Sequence, residues 1–162
     1  MGAEFCTDLP RGAYADGTQP HDGGMTIPRF DDVRDAPLVT DEQVLERAAL
    51  LLGHAIRRQL WLMFLDEHDR QLPLLMPTYV PRRPGPGHRE NYARVLGVLF
   101  EDAEADSMVL AYERRGSELL TPADRAWFVL VREACAQAGI PLRGPLLVHD
   151  RGIRWVAPED LE

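Results

Sequence analysis

Gln59-Leu60-Trp61-Leu62-Met63-Phe64-Leu65-Asp66-Glu67-His68-Asp69-Arg70-Gln71-Leu72-Pro73-Leu74-Leu75-Met76 decides the fold class. Leu60 to Leu65 is an unbroken apolar run of strand length, so it predicts a strand buried on both faces in the middle of a sheet. The five polar residues Asp66 to Arg70 then give a turn, and Gln71 to Met76 gives a return strand. A buried hairpin of this kind requires apolar helices to cover both sides.

Helices are expected upstream and downstream of it. Thr40-Asp41-Glu42-Gln43 reads as a capping box, and Val44, Leu45, Ala48, Leu51, Leu52 and Ala55 follow as an apolar stripe, predicting a first helix to about Arg58. Past the hairpin, Pro77, Pro81, Pro84 and Pro86, with Gly85 and Gly87, predict irregular chain over residues 77 to 87. Tyr92, Val95, Leu96, Leu99 and Ala103 then mark the buried face of a second helix, and Ser107 to Tyr112 a strand. Thr121-Pro122-Ala123-Asp124 is the sharpest local signal: Thr121 suits the N-cap, Pro122 the first helical position, and Asp124 the third. Trp127, Leu130, Val131, Ala134 and Ala138 continue that third helix to a terminator at Gly139. Strands around Leu146 to Val148 and over Ile153 to Val156, joined by a turn at His149 to Gly152, close the chain. The order helix, hairpin, helix, strand, helix, hairpin predicts an α/β (α+β) fold: a mixed sheet flanked by helices, in one domain over residues 39–162.

Residues 1–38 read differently. They hold five of the 13 glycines, four of the 13 prolines and scattered aspartates, with no helical or strand period, so a flexible acidic arm is expected there. The 18 Lys and Arg against 26 Asp and Glu give a net charge of -8, which disfavours polyanions, although Arg82, Arg83, His88, Arg89 and Arg94 form a local basic cluster. Ion pairing with Glu90 is the expected fate of that cluster. No apolar run reaches the length of a membrane span, and the two cysteines, Cys6 and Cys135, suggest no disulfide framework, so a cytoplasmic location is expected.

Chemistry-bearing residues are sparse. His21, His54, His68, His88 and His149 show no metal-ligand spacing with each other or with a cysteine. Cys135 lies mid-helix among apolar residues and reads as a buried, inert thiol. Glu113, Glu118 and Asp124 gather carboxylates near one strand-to-helix junction, but Arg114 and Arg115 would pair with them, and Asp124 already serves as a helix cap.

From residue 57 to 156 the pattern resembles the JAB/JAMM/MPN metalloprotease-like domain, particularly its bacterial RadC branch. The residues that carry the resemblance are the segment Gln59 to Leu72, then Asp106 through Thr121-Pro122-Ala123-Asp124, and Ala138-Gly139-Ile140-Pro141-Leu142 with the hairpin after it. The resemblance implies a zinc site: two histidines of a His-X-His-Pro segment, an aspartate of a Ser-X-X-Asp segment, and a distant glutamate that activates water. Here the histidine positions hold Tyr112 and Arg114, the serine position Thr121, the aspartate position Asp124, and the glutamate position Gln59. An arginine cannot ligate zinc at neutral pH and repels it, and Gln59 offers no general base.

The reading is therefore a non-catalytic protein-interaction or regulatory module with no catalytic residue, metal or cofactor. Tyr112, Glu113, Arg114, Arg115 and Asp124 are its candidate interaction residues, with Tyr112 expected to be an exposed aromatic beside two guanidinium groups. An unidentified protein, or a second copy of the chain, is the expected partner. The alternatives are a divergent hydrolase using Asp124 with Glu113 or His149, and a weak nucleic-acid-binding protein acting through Arg82 to Arg94.

Overall fold

In the computed structural model, which describes residues 36–162, the apolar run and its return segment pair antiparallel as β1 (Gln59–Leu65) and β2 (Gln71–Tyr79). The segment 1–35, which contains most of the expected arm, lies outside the described residues. Leu38, assigned by the sequence reading to the end of that arm, is buried in the core. Its N–H donates to the Asp69 carbonyl, and its own carbonyl accepts from Arg143.

The remaining elements follow the expected order: α1 (Asp41–Leu52) before the hairpin, then α2 (His88–Asp102), β3 (Ser107–Glu113), α3 (Pro122–Ala138), β4 (Leu142–His149), β5 (Gly152–Trp155) and a short 3-10 turn (Pro158–Leu161). The five strands form one mixed sheet in the order β2-β1-β3-β4-β5, antiparallel except where β3 and β4 run parallel. That parallel pair spans the crossover through α3, the connection that parallel strands require.

Alternation along the strands sends side chains to two separate cores. Leu62, Phe64, Leu110 and Leu147 face α2 and α3, where Trp127, Phe128 and Val131 pack against them. Met63, Leu65, Val109, Ala111 and Val148 face α1, covered by Val44 and Ala48. β3 is the central strand, and all seven of its residues are buried.

Thr121 and Asp124 cap α3 reciprocally, Thr121 Oγ1 accepting from the Asp124 N–H and Asp124 Oδ2 from the Thr121 N–H, as the sequence anticipates. Gly139 ends the helix in the left-handed region at φ 72°. Thr40 and Gln43 cap α1 in the same way.

Several expectations need correction. α1 stops at Leu52, because Gly53 takes φ 65° and turns the chain, so Ala55 is buried from beyond the helix and His54 is exposed. β2 runs through Pro73 and Pro77 to Tyr79 instead of ending at Met76. It is an edge strand, where a missing N–H removes no ladder bond on the open side, and Pro73 lies in the register irregularity opposite Met63 and Leu65. On α2 the buried residues are Ala93 and Leu96, while Val95 is exposed. β4 begins at Leu142, earlier than expected, and bulges past β3 at Gly144, where an added Cβ would lie 3.1 Å from the Leu110 carbonyl oxygen.

Candidate arginine-lined site at the end of the central strand

β3 delivers two neighbouring residues, Tyr112 and Glu113, to opposite faces of the sheet, and the chain then turns at Arg114. The five residues singled out in the sequence thus fall into two clusters rather than one surface.

Glu113 faces α1. Its Oε2 accepts the backbone N–H groups of Ile56 at 2.6 Å and Arg57 at 2.9 Å, and its Oε1 accepts Gln59 Nε2 at 2.9 Å and Trp61 Nε1 at 2.7 Å. Burial alone would push this carboxyl up. The bonds from Trp61, Arg57, Ile56 and Gln59 outweigh that and hold it below the ordinary glutamate range. Four donors on one carboxylate fix the segment between α1 and β1 against the central strand. Gln59, placed by the resemblance at the water-activating position, belongs to this latch.

Tyr112, Arg114 and Asp124 lie on the other face. Asp124 Oδ2 accepts Arg114 Nε at 3.1 Å, Arg114 Nη2 at 2.9 Å and the Thr121 N–H at 2.9 Å. Both side chains of the ion pair are buried, at 4% and 2% exposure. Arg114 also donates to the carbonyls of Ser117 and Leu119, so one guanidinium ties the β3–α3 loop to the start of α3. The sequence reading of Tyr112 as an exposed aromatic is overturned: it is fully buried, edge-on to Phe128, and its hydroxyl accepts Arg58 Nη1 at 2.6 Å. Burial pushes its phenol above the ordinary value despite the nearby charge of Arg58. Glu113 is buried as well, because its strand is central rather than peripheral, and Arg114, just past the strand end, is buried against Asp124 at the start of α3. Of the five candidates only Arg115 is open to solvent, its side chain 71% exposed and 2.8 Å from Asp150.

The residues at the implied zinc-site positions do not fit a metal. Asp124 Oδ2 is engaged by three N–H donors, two of them from a permanent cation, and among the described residues no group of three or more His, Cys, Asp or Glu side chains could hold an ion. Glu113 and Asp124 belong to clusters on opposite faces of the sheet. His149 is buried, its Nδ1 accepts the Arg151 N–H, and burial lowers its pKa.

Between these side chains lies a cavity of about 160 Å³, lined by Arg58, Arg82, Arg114, Arg115, Gly116 and Thr121 among others, with Asp124 the only acidic residue among the described residues of its wall. The sequence reading assigns Arg82 only to the basic cluster that runs to Arg94 and gives Arg58 no role; the register of β1 on β3 and the path of the proline-rich loop bring the two together here. A larger depression of about 630 Å³ lies between α2 and α3, but its charges are mixed and Arg89 is already paired with Glu90 and Glu133. That pairing meets the expectation for this part of the basic cluster. Cys135 is a buried thiol pushed up to about 11, and His68 is exposed in its turn.

The fold is thus an α/β domain with a five-stranded mixed sheet and three helices, and among the described residues no helix is long and apolar enough to cross a membrane. No family model and no curated protein sequence matches the chain.

Proposed function

We propose that this chain is a non-catalytic protein-interaction or regulatory module with a JAB/MPN-like fold, related to the RadC branch, and that it engages its partner at the C-terminal end of β3. The order of elements supports the family reading, as does the meeting of Tyr112, Arg114, Thr121 and Asp124 at one strand end. The observation that carries the non-catalytic reading is the buried Arg114–Asp124 pair. It binds a fixed cation to the aspartate that the resemblance would make a zinc ligand, and it commits that aspartate to ion pairing and capping.

The contact surface differs from the one read in sequence. Arg114 holds the loop from within, and the side chains that can meet a partner are Arg115 and Arg82 on the rim. Guanidinium groups at the mouth of a concavity suit interface anchoring. The test is recovery of specific partners by the full chain against its Arg115→Ala and Arg82→Ala variants. Equal recovery of every partner by all three proteins removes the reading, and selective loss with unchanged thermal stability supports it.

A further inference from the structure

The cavity at this strand end has a charge opposite to that of the molecule around it. Four arginines and one aspartate contribute to its wall, on a chain whose net charge is -8. Asp124 does not offset the others, because its charge is already engaged by Arg114 in the floor. What is left is a cationic rim with donors to spare. Arg58 spends Nη1 on the Tyr112 hydroxyl, leaving Nε and Nη2. Arg115 spends Nε on Asp150, leaving both terminal nitrogens, and that pair is exposed enough to exchange readily. The Arg82 guanidinium makes no hydrogen bond or ion pair with any other described residue, and only its backbone carbonyl is engaged, by the Trp127 indole N–H at 3.3 Å.

We infer that this cavity is an oxyanion-binding site, taking a single carboxylate or phosphate group between the guanidinium groups of Arg58, Arg82 and Arg115. The inference rests on the proposed interaction surface and names the chemistry that surface recognises. Planar guanidinium forks match both groups in two-point fashion, and a concave wall concentrates their field. Size limits the ligand: about 160 Å³ is well below the roughly 300–1,000 Å³ of pockets that enclose drug-sized molecules, so one anionic group enters while the rest of its molecule stays outside. The Arg114–Asp124 pair serves as a rigid floor. It turns what would be a competing internal anion into an ion-paired base for the site. Asp150 is the internal competitor for Arg115, held at the rim by a contact of 2.8 Å.

The experiment is a titration of the full chain with inorganic phosphate and, separately, with a short acidic peptide blocked at both ends and lacking phosphate. Both are followed by the amide resonances of Gly116 and Ser117 and by arginine side-chain N–H resonances, with sodium chloride at matched ionic strength as control. The expected result is saturable shifts confined to this cavity, weakened about tenfold for each rim guanidinium removed in Arg82→Ala and Arg115→Ala. Saturation by phosphate alone assigns the site to phosphate groups. Saturation by the peptide, with or without phosphate, assigns it to carboxylates. Shifts no larger than with chloride, or shifts unchanged in both variants, overturn the inference. If Arg115→Ala still abolishes partner recovery in that case, the interaction surface stands and only its anionic ligand is lost.

Discussion

Glu113 and Asp124 are two buried carboxylates at the same end of the sheet, and they are satisfied by opposite means. Glu113 is held by four neutral donors with no cation bonded to it, whereas Asp124 is held by a guanidinium and one backbone N–H. The first arrangement keeps a negative charge on the α1 face, spread over two backbone amides, an indole and a carboxamide. The second cancels its charge within the fold and leaves the neighbouring cavity cationic. A buried carboxylate at a strand end therefore does not by itself signal an active site: the identity of its donors determines what the surroundings can bind.

The largest expected effect comes from breaking the charged pair. Arg114→Ala leaves Asp124 buried without its cation and frees two loop carbonyls, which should cost about 3–5 kcal/mol of stability in denaturant titration. The double variant Arg114→Met with Asp124→Leu should recover more than half of that loss, since two apolar groups leave no orphaned charge. Failure to recover would mean that the loop carbonyls, not the charge, set the cost.

Glu113→Gln should cost about 2–3 kcal/mol, because the amide keeps one acceptor oxygen and turns its NH2 toward groups that are themselves donors. The same carboxylate makes stability depend on acid. Its folded pKa lies below the unfolded value, so its contribution is complete above the ordinary glutamate range and is lost as pH falls through the lower folded value. Chemical denaturation from pH 6 to pH 3, in roughly half-unit steps across the ordinary carboxylate range, should show this decline, and Glu113→Gln should flatten it. His149, lowered by burial, adds a loss of the same sign below its ordinary range.

Smaller effects separate the cap from the rim. Thr121→Ala removes the hydroxyl that accepts the Asp124 N–H but leaves the ion pair intact, at a cost of about 1 kcal/mol. Arg115→Ala should change the thermal midpoint least of all, because its one ion pair is exposed. A large loss of stability in that variant would move Arg115 from the rim into the structural network.

Much of this architecture is legible in the sequence, for local reasons. The Thr121-Pro122-Ala123-Asp124 cap, the Gly139 terminator, the buried Cys135 and the two hairpin turns each depend on residues within one or two turns of chain. The site was less legible because its contacts are long-range. Glu113 reaches Ile56 and Arg57 across more than 50 residues, and Arg58 reaches Tyr112 across 54, both set by the pairing of β1 with β3. Tyr112 looked exposed because polar residues follow it. The strand order, which the apolar run of β1 does not encode, puts β3 in the centre and Tyr112 under α3. The continuation of β2 through Pro73 and Pro77 was hidden for a similar reason, since only edge position makes those prolines compatible with a strand.

Zinc binding by the full chain, compared with Asp124→Asn and measured as metal content after equilibration with zinc and removal of the excess, tests most directly whether Arg114 has taken over the aspartate. The expected result is identical zinc content in both proteins, with no equivalent assignable to Asp124. One zinc per chain in the parent protein, absent from Asp124→Asn, would contradict the account, because it would require Arg114 to leave Asp124 and the cavity to hold a cation.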